Sequence, residues 1–190
     1  MNNTNSDTVL VYIAFGSNMG KRVDYIKQMM KALEGIGGAT MRCSSFWLSE
    51  ATGMGRDAGD FVNGVVELRT KLSAAKLLDS LQQIEISMGR PAEHKVNASR
   101  VIDLDIISYG DQSISTPRLT VPHPRAHQRL FVLNPLLELA PDLKLHGFDQ
   151  TVAELVEIAP PMRISRQRRQ LVLSLLPQIW WLTGKKVTTG

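Results

Sequence analysis

The feature that most constrains the fold is the order in which two kinds of hydrophobic periodicity follow one another between residues 8 and 110. Four segments have the β-branched, aromatic or alternating pattern of strands, and two have apolar residues at helical spacing. In chain order the predicted elements are a strand at 8–16, a helix at 24–33, strands at 40–50 and 61–70, a helix at 73–88 and a strand at 100–110. This β-α-β-β-α-β order is typical of a ferredoxin-like fold, an α+β arrangement in which an antiparallel sheet carries two helices on one face.

Smaller signals mark where these elements end. The run GIGG at 35–38 is expected to stop the first helix, and Ser73 is expected to cap the second. Two connections, at 51–60 and 89–99, are long for a compact domain, and loops of that length are often functional. After residue 110, a connection punctuated by prolines precedes two short predicted helices, FVLNPLLELAP and TVAELVEIA.

Charge divides the chain into two parts. The length of 190 residues suits one domain with an appendage. Residues 160–190 hold six basic residues and no acidic one, which leaves 16 basic against 18 acidic residues in the rest of the chain. A nucleic-acid binder would more often spread basic residues over its folded face, so we expect no nucleic-acid partner. We predict a domain at 8–158 and a basic C-terminal extension at 159–190.

The extension carries a helical pattern, with Ser165 as a candidate N-cap. Such a helix could pack on the domain or on a second subunit, giving self-association, or it could lie on an anionic membrane surface; we prefer packing. No run approaches the roughly 20 apolar residues of a transmembrane helix, so none is expected. The single cysteine, Cys43, excludes an internal disulfide, and a reducing cytoplasm is the expected location.

Two aspartates stand in the last predicted strand of the core, within SRVIDLDIISYG at 99–110. Because successive strand residues point to opposite faces, Asp103 and Asp105 should project together while Ile102, Leu104 and Ile106 point into the core. Two neighbouring carboxylates repel and are costly to desolvate, and a cation relieves both effects. Mg²⁺ prefers one or two carboxylates plus phosphate oxygens and water. The alternative is an exposed strand face with two solvated carboxylates, and the spacing alone leaves both open.

Basic side chains crowd this pair in the sequence and favour the metal interpretation. They flank the second long connection and follow the strand: Arg90, Arg100, Arg118, His123, Arg125, His127 and Arg129. A polyphosphate held between a metal ion and guanidinium groups would use both kinds of residue.

Five motifs, in this order and at these separations, make the chain resemble a known family: FGSN (15–18), FVNGVVEL (61–68), IEISMGR (84–90), SRVIDLDIISYG (99–110) and LTVPHPRAHQRLFVLNPLLELAP (119–141). The family is that of the 6-hydroxymethyl-7,8-dihydropterin pyrophosphokinases of folate biosynthesis, and the resemblance covers about residues 8–158. It implies a ferredoxin-like core and transfer of the pyrophosphoryl group of ATP to the hydroxymethyl oxygen of the reduced pterin, with release of AMP. The implied partners are ATP and the reduced pterin, and the implied cofactor is Mg²⁺, as two ions.

The resemblance also implies roles for individual residues. Asp103 and Asp105 match the pair that holds the two Mg²⁺ ions, and Arg90 and Arg100 match loop arginines that reach the phosphates. The positions that match the pterin site are a small hydroxyl residue, two aromatic walls and a reader of the ring's amide edge: Ser49, Phe61, Phe131 and Asn63. The positions that match the nucleotide site are Glu85, Ile106, Arg118, Thr120, His123 and Arg129.

The second long connection departs from the family pattern. Asn97 occupies a position that is often tryptophan, and Ala98-Ser99 replaces Gly-Pro. By resemblance this loop closes over the substrates, so the missing aromatic could weaken pterin binding or slow closure. This altered loop motivates a second hypothesis, a diverged pterin- or nucleotide-binding protein without catalysis. A third hypothesis is a ferredoxin-like interaction module that uses its basic tail on nucleic acid or membrane.

Overall fold

The computed structural model describes residues 8–37, 41–51, 59–89 and 101–167. Its helices are α1 (Arg22–Gly37), α2 (Ala74–Ser87), α3 (Leu130–Leu139) and α4 (Val152–Ile158), with a 3₁₀-helix at Ala126–Gln128. Its strands are β1 (Val9–Ser17), β2 (Arg42–Cys43), β3 (Trp47–Ser49), β4 (Phe61–Thr70), β5 (Asp103–Tyr109), β6 (Ile114–Ser115), β7 (Thr120–Val121) and β8 (Ile164–Arg166).

One antiparallel sheet organises the molecule. Its strands run in the order β5-β1-β4-β3-β8, and β2 pairs with β4 beside β3. The chain passes from β1 through α1 to the β2–β3 pair, then to β4, and through α2 to β5. The predicted α+β, ferredoxin-like β-α-β-β-α-β core is therefore confirmed.

The two faces of the sheet belong to different helix layers. Ile13 of β1 packs in a core with Leu33 of α1 and Leu81 of α2. The next residue, Ala14, points the opposite way and packs in a second core with Leu133 of α3. The α1–α2 layer is the predicted pair of helices on one face, and the α3–α4 layer covers part of the other face. The part of that second face that no described helix covers is where polar side chains can meet.

The predicted strand at 40–50 is wrong in one respect, because it is divided into β2 and β3. Ser44 bonds to Val65 through its side chain, whose Oγ accepts from the Val65 N–H at 3.0 Å, and through its own N–H, which donates to the Val65 carbonyl at 3.0 Å. The N–H of Ser45 turns away to Glu138 of α3, at 2.9 Å. A serine hydroxyl can replace a ladder partner, and here it lets the chain bend while keeping Val65 bonded.

Other boundaries shift less. The helix expected to stop at GIGG continues to Gly37, and the strand expected from residue 100 begins at Asp103. Ser73 caps α2 as predicted, with its side chain accepting from the Lys76 N–H. The proline-punctuated connection contains the β6–β7 hairpin and a cis Val121–Pro122 bond.

The C-terminal extension begins as part of the sheet. Ser165, predicted to cap a helix, lies instead in β8 and pairs with Leu48 of β3. The rest of the predicted extension helix, together with Arg90, Arg100 and Asn97, lies outside the described residues. No helix within the described ranges has the length and apolar character needed to cross a bilayer.

Candidate active site

Along β5, β1 and β4, which are neighbours in the sheet, the side chains that face α3 change from apolar to polar in the same direction. Ala14, Val65 and Ile107 pack beneath α3 and α4. Further along, the same faces of β4 and β5 present Asn63 and Asp105. Among the described residues, α3 and α4 cover the apolar part of this face and leave its polar part open.

Strand register brings the polar residues into one row. Asp103 of β5 lies opposite Gly16 of β1, and Gly16 lies opposite Asn63 of β4. A Cβ at Gly16 would stand 3.3 Å from Asn63 Oδ1 and 3.6 Å from Phe61 Cδ1. Because Gly16 has no side chain, space remains above β1 between the carboxylates and the asparagine.

A cavity of about 590 Å³ lies above this row of residues. Its size is that of a small-molecule site, for which roughly 300–1,000 Å³ is usual. Eight of the predicted site residues line it: Ser49, Phe61, Asn63, Asp103, Asp105, His123, Arg129 and Phe131. Residues distant in sequence thus converge in a single pocket, with carboxylates and basic groups together with aromatic rings and an amide.

The aspartate pair has the predicted orientation. Ile102, Leu104 and Ile106 are at most 5% exposed, whereas Asp103 and Asp105 are only partly buried and line the cavity. The N–H of Leu104, between the two aspartates, donates at 2.8 Å to Oε1 of Glu85 on α2. Glu85 is 2% exposed, so α2 anchors the backbone of β5 between the carboxylates from the opposite side of the sheet.

His123 faces the carboxylate pair across the pocket. Its Nδ1 accepts from the N–H of Arg125 at 3.2 Å, and its Nε2 lies 3.8 Å from Asp105 Oδ2. Burial lowers the pKa of His123 below its usual 6.5, Asp105 opposes this, and the charges of Arg129 and Arg125 add to the lowering. A neutral His123 that accepts at Nδ1 carries its proton on Nε2, directed toward the carboxylate side of the pocket.

Asn63 is oriented by the protein itself. Its Nδ2 donates to Ser49 Oγ at 3.0 Å and to the carbonyls of Trp47 and Phe61, each at 3.3 Å. With the amide nitrogen engaged in this way, Oδ1 lies above Gly16 in the pocket. The side chain therefore presents an acceptor, which suits a ring edge that carries N–H groups.

The aromatic positions are not simple core residues. Phe61 and Phe131 are both half-buried and both line the cavity. The guanidinium carbon of Arg129 lies 5.4 Å from the centre of the Phe131 ring. This cation–π contact joins the aromatic part of the pocket to its basic part.

Four predicted nucleotide-site residues do not line this cavity as the described residues form it. Glu85 and Ile106 are buried, and Ile106 packs in the core between the sheet and the α1–α2 layer. Arg118 is exposed and pairs at 2.7 Å with Asp79 of α2, and Thr120 lies exposed in β7. The side chains of Glu85 and Arg118 are thus engaged with backbone or side chains of the protein.

The donor set fits Mg²⁺. Asp103 and Asp105 would offer oxygen ligands on one strand face, and the Asp105 side chain is 43% exposed, so phosphate and water oxygens can reach it. Within the described residues no group of three or more His, Cys, Asp or Glu side chains is placed to hold a metal ion by itself. The fit is therefore to an ion that takes one or two carboxylates from the protein and its remaining ligands from substrate and water.

Sequence reasoning missed several lining residues. Gly16 and Gln128 lie in the motifs of the family resemblance but had no predicted role, and Arg125 was predicted only as one of the basic residues near the carboxylate pair. Pro160, Pro161 and Met162 also line the cavity and lie outside the motifs. The alternation of Met162 and Ile164 was the available signal for a strand in this segment.

Comparison with known proteins gives the family. The family model of 7,8-dihydro-6-hydroxymethylpterin-pyrophosphokinase (HPPK) matches residues 12–141. The 2-amino-4-hydroxy-6-hydroxymethyldihydropteridine pyrophosphokinase of Haemophilus influenzae is 40% identical over 150 residues, covering 78% of this chain and 92% of the relative. The enzyme of the same name from Pseudomonas aeruginosa is 40% identical over 136 residues, covering 71% and 83%.

Solved structures agree in fold at low identity. The HPPK-DHPS in complex with substrates matches with a TM-score of 0.65 at 13% identity, over 91% of this chain and 45% of that chain. The Plasmodium falciparum HPPK-DHPS with pterin and p-hydroxybenzoate matches with a TM-score of 0.62 at 13% identity, over 79% and 43%. This chain spans less than half of those longer chains, so they support the fold alone. The family match and the relatives at 40% identity carry the assignment: this chain belongs to the HPPK family.

Proposed function

We propose that this chain is a transferase of folate biosynthesis that moves the pyrophosphoryl group of ATP to the hydroxymethyl oxygen of 6-hydroxymethyl-7,8-dihydropterin. The observation that carries the proposal is the row Asp103, Gly16, Asn63, which joins a carboxylate pair to an amide acceptor across one open pocket. A diverged protein without catalysis is not favoured, because relatives at about 40% identity are named as the enzyme.

The pterin occupies the end of the pocket formed by Ser49, Phe61, Asn63 and Phe131. Asn63 Oδ1 accepts from an N–H of the flat ring, and Ser49 holds the Asn63 amide in that orientation. The half-buried Phe61 and Phe131 supply apolar and aromatic surface for the ring faces. A ring without N–H groups at its edge would leave the Asn63 acceptor unpaired, which gives the site its selectivity.

The polyphosphate occupies the other end, where Asp103 and Asp105 face His123, Arg125 and Arg129. When bound there, two Mg²⁺ ions held by Asp103 and Asp105 would neutralise charge on the phosphate oxygens. Arg129 and the neutral His123, with its proton on Nε2, donate hydrogen bonds to phosphate oxygens. Catalysis of phosphoryl transfer rests mainly on such positioning and charge neutralisation.

The reaction makes one bond and breaks one. The pterin hydroxyl oxygen bonds to the β-phosphorus of ATP, the bond from that phosphorus to the oxygen bridging it to the α-phosphorus breaks, and AMP leaves with that oxygen. The hydroxyl proton is released. The chain's contribution is to hold the two substrates in line, since a well-oriented pair removes much of the entropic barrier.

We also propose roles for the predicted site residues that do not line the cavity or lie outside the described ranges. Arg90 and Arg100 reach the phosphates, and Glu85, Ile106, Arg118 and Thr120 belong to the nucleotide site. Glu85 acts there through the N–H of Leu104, which it holds between the two aspartates. For Arg118 to meet the nucleotide it must exchange its exposed contact with Asp79, a pair that contributes little when solvated.

Three broader proposals concern the whole chain. Residues 8–158 form the catalytic domain, to which the start of the extension adds an edge strand. The enzyme works in the cytoplasm, consistent with its single, buried cysteine. Self-association through residues 159–190 is tested by the sedimentation velocity of the full chain over a range of concentrations.

One assay tests the function. Incubation with ATP, Mg²⁺ and 6-hydroxymethyl-7,8-dihydropterin should form AMP in equal amount to the pyrophosphorylated pterin, and omission of the pterin should abolish AMP formation. Pterin binding without AMP formation would select the non-catalytic alternative. Formation of ADP in place of AMP would contradict the proposed bond cleavage.

A further inference from the structure

The segment that follows α4 forms an edge strand of the sheet, although it lies beyond the residues matched by the family model. Arg166 of β8 pairs with Trp47 of β3, and Ile164 pairs with Ser49. Two flanking hydrogen bonds extend the contact: Gln167 N–H donates to the Phe46 carbonyl at 2.8 Å, and Glu50 N–H donates to the Arg163 carbonyl at 3.4 Å. The segment is therefore attached to the sheet over residues 163–167.

A side-chain cluster fastens this strand to α3. The Glu138 carboxylate accepts from the Ser45 N–H and from Trp47 Nε1, each at 2.9 Å, and its Oε1 lies 3.2 Å from Arg166 Nε. Arg166 Nη2 also donates to Ser45 Oγ at 2.9 Å. Glu138 is largely buried, at 18% side-chain exposure, and the guanidinium contacts two acceptors at once. We call the Arg166–Glu138 pair the latch.

The latch lies in register with the pocket. Arg166 pairs with Trp47, Trp47 pairs with Asn63, and Asn63 pairs with Gly16. The row that carries the site therefore continues to the edge strand. Two strand pairings, β8 with β3 and β3 with β4, therefore fix the position of Arg166 relative to Asn63.

The residues just before the attached segment form part of the cavity wall. Pro160, Pro161 and Met162 line the same cavity as Ser49, Phe61 and Asn63. Two consecutive prolines restrict the backbone, and Met162 adds a polarizable thioether that packs well against aromatic rings. This wall is apolar, as the flanks of a flat ring require.

We propose that residues 160–162 form a specificity wall of the acceptor subsite, with Met162 against the pterin ring, and that the latch is the positioning device that holds this wall. The inference rests on the proposed function and deepens it. It assigns a role in acceptor recognition to a segment outside the motifs that identify the family.

The first test separates acceptor binding from the rest of the reaction. In the full chain, Arg166→Ala should raise KM for 6-hydroxymethyl-7,8-dihydropterin by up to about fivefold, since a half-exposed ion pair contributes no more than about 1 kcal/mol. The KM for ATP and kcat at saturating pterin should stay within about twofold of wild type by the same reasoning. Arg166→Lys should recover part of the loss because an ammonium can still pair with Glu138. Arg163→Ala is the matched control, since Arg163 is exposed on the same segment and its removal changes the net charge equally.

The second test asks whether Met162 acts through the latch. Met162→Ala should also raise KM for the pterin, and the double variant with Arg166→Ala should lose less than the product of the two single losses, because the unlatched wall has already moved. Hydrogen exchange of the peptide spanning 160–167 should be faster in Arg166→Ala and unchanged in Arg163→Ala. In wild type, the pterin with a non-hydrolysable ATP analogue and Mg²⁺ should slow that exchange.

The outcomes separate this inference from the function on which it rests. An active wild type whose pterin KM is indifferent to Arg166→Ala and Met162→Ala would overturn the inference alone. Equal losses for pterin and ATP would overturn it too, because they would show a general structural effect. A wild type that neither binds pterin nor forms AMP would overturn the proposed function itself, and the unliganded exchange rates would then still decide whether the latch holds β8.

Discussion

At the scale of single residues, the site depends on polar side chains that use one atom in a hydrogen bond within the protein and direct a second polar atom into the pocket. Asn63 uses Nδ2 on Ser49 and two carbonyls and leaves Oδ1 in the pocket. His123 uses Nδ1 on the N–H of Arg125 and leaves Nε2 toward Asp105. Because these side chains are already ordered in the free protein, they lose less conformational entropy when a ligand binds.

Replacement of either aspartate should abolish most turnover while the fold survives. Asp103→Ala or Asp105→Ala should lower kcat by on the order of a hundredfold or more, because metal-ion stabilisation of a phosphoryl transition state amounts to several kcal/mol. The free energy of unfolding should hold or rise, since one of two neighbouring like charges is removed. Steady-state AMP formation at saturating Mg²⁺ measures the first effect and urea denaturation the second. Asp111→Ala, an exposed carboxylate in the turn after β5, is the control, and near-normal turnover in either site variant would refute the metal assignment.

Replacement of Asn63 should affect one substrate. Asn63→Ala should weaken pterin binding by roughly 1–3 kcal/mol, because a buried N–H of the ring loses its acceptor. ATP binding should change little, since the Gly16 position of β1 separates Asn63 from Asp103 and we propose that the phosphates bind on the aspartate side. Calorimetric titration of the variant with pterin and, separately, with a non-hydrolysable ATP analogue measures both, and equal losses would mean that Asn63 is a structural residue.

At the scale of elements, close packing between neighbouring strands decides which positions tolerate a side chain. Phe15 of β1 lies opposite Gly64 of β4, is 3% exposed, and packs edge-on against Phe46 with ring centroids 5.8 Å apart. Gly64 is therefore needed for space, whereas a Cβ at Gly35 of α1 would meet no described atom within 4 Å beyond its chain neighbours and its own helix backbone.

The two glycines should respond in opposite directions to alanine. A Cβ at Gly64 would come within 2.7 Å of Phe15 Cε1, so Gly64→Ala should destabilise the protein by about 1–3 kcal/mol through overpacking. Gly35→Ala should stabilise it by up to about 1 kcal/mol, because alanine is the better helix former. Urea denaturation of both variants measures the difference. A neutral Gly64→Ala would show that the Phe15 ring can shift at no cost.

The N-terminus of α4 gives a pH-dependent contribution to stability. Hydrogen bonds from the backbone N–H and the hydroxyl of Thr151 lower the pKa of Glu154 below its usual 4.5. A carboxyl whose pKa is lowered by folding stabilises the protein above its unfolded-state pKa, and this contribution is lost as pH falls through the folded-state value. The stability difference between wild type and Glu154→Gln should therefore be present at pH 7 and shrink on acidification below about pH 4.5. Thermal unfolding across pH 3–7 measures it, and a difference independent of pH would contradict the capping assignment.

At the scale of the whole molecule, the site joins parts of the chain from residue 14 to residue 162. Ligands that bind such a pocket stabilise the folded state, because the pocket does not exist in the unfolded chain. The sheet, both helix layers and the edge strand should therefore unfold together with the loss of the site.

Binding of a nucleotide with Mg²⁺ should raise the melting temperature, and part of that shift should depend on Asp103. A non-hydrolysable ATP analogue with Mg²⁺ at 100 times Kd should add about 2.7 kcal/mol of stability. For a chain of this size that corresponds to roughly 5–10 °C. Asp103→Ala should lose most of the Mg²⁺-dependent part of the shift, as measured by differential scanning fluorimetry with and without EDTA. An Asp103→Ala shift as large as that of wild type would place the metal elsewhere.

Periodicity by itself was enough to predict the β-α-β-β-α-β order of the core and the orientation of the aspartate pair. The alternation of Ile102, Leu104 and Ile106 with the two aspartates has a period of two, which only a strand satisfies, so local sequence predicted which side is buried. Likewise Ser73 marked the start of α2, because a cap acts on backbone groups only three residues away.

Tertiary structure alone decided which distant residues meet. Arg118 lies among basic residues in the sequence, yet it pairs with Asp79, and Ser45 leaves the expected strand because Glu138 of α3 binds its N–H. Pro160 to Met162 enter the site because β8 pairs with β3 more than a hundred residues earlier in the chain. These contacts depend on strand register and helix packing over long sequence separations, and local periodicity carries no information about which partner a strand edge or a long side chain will find.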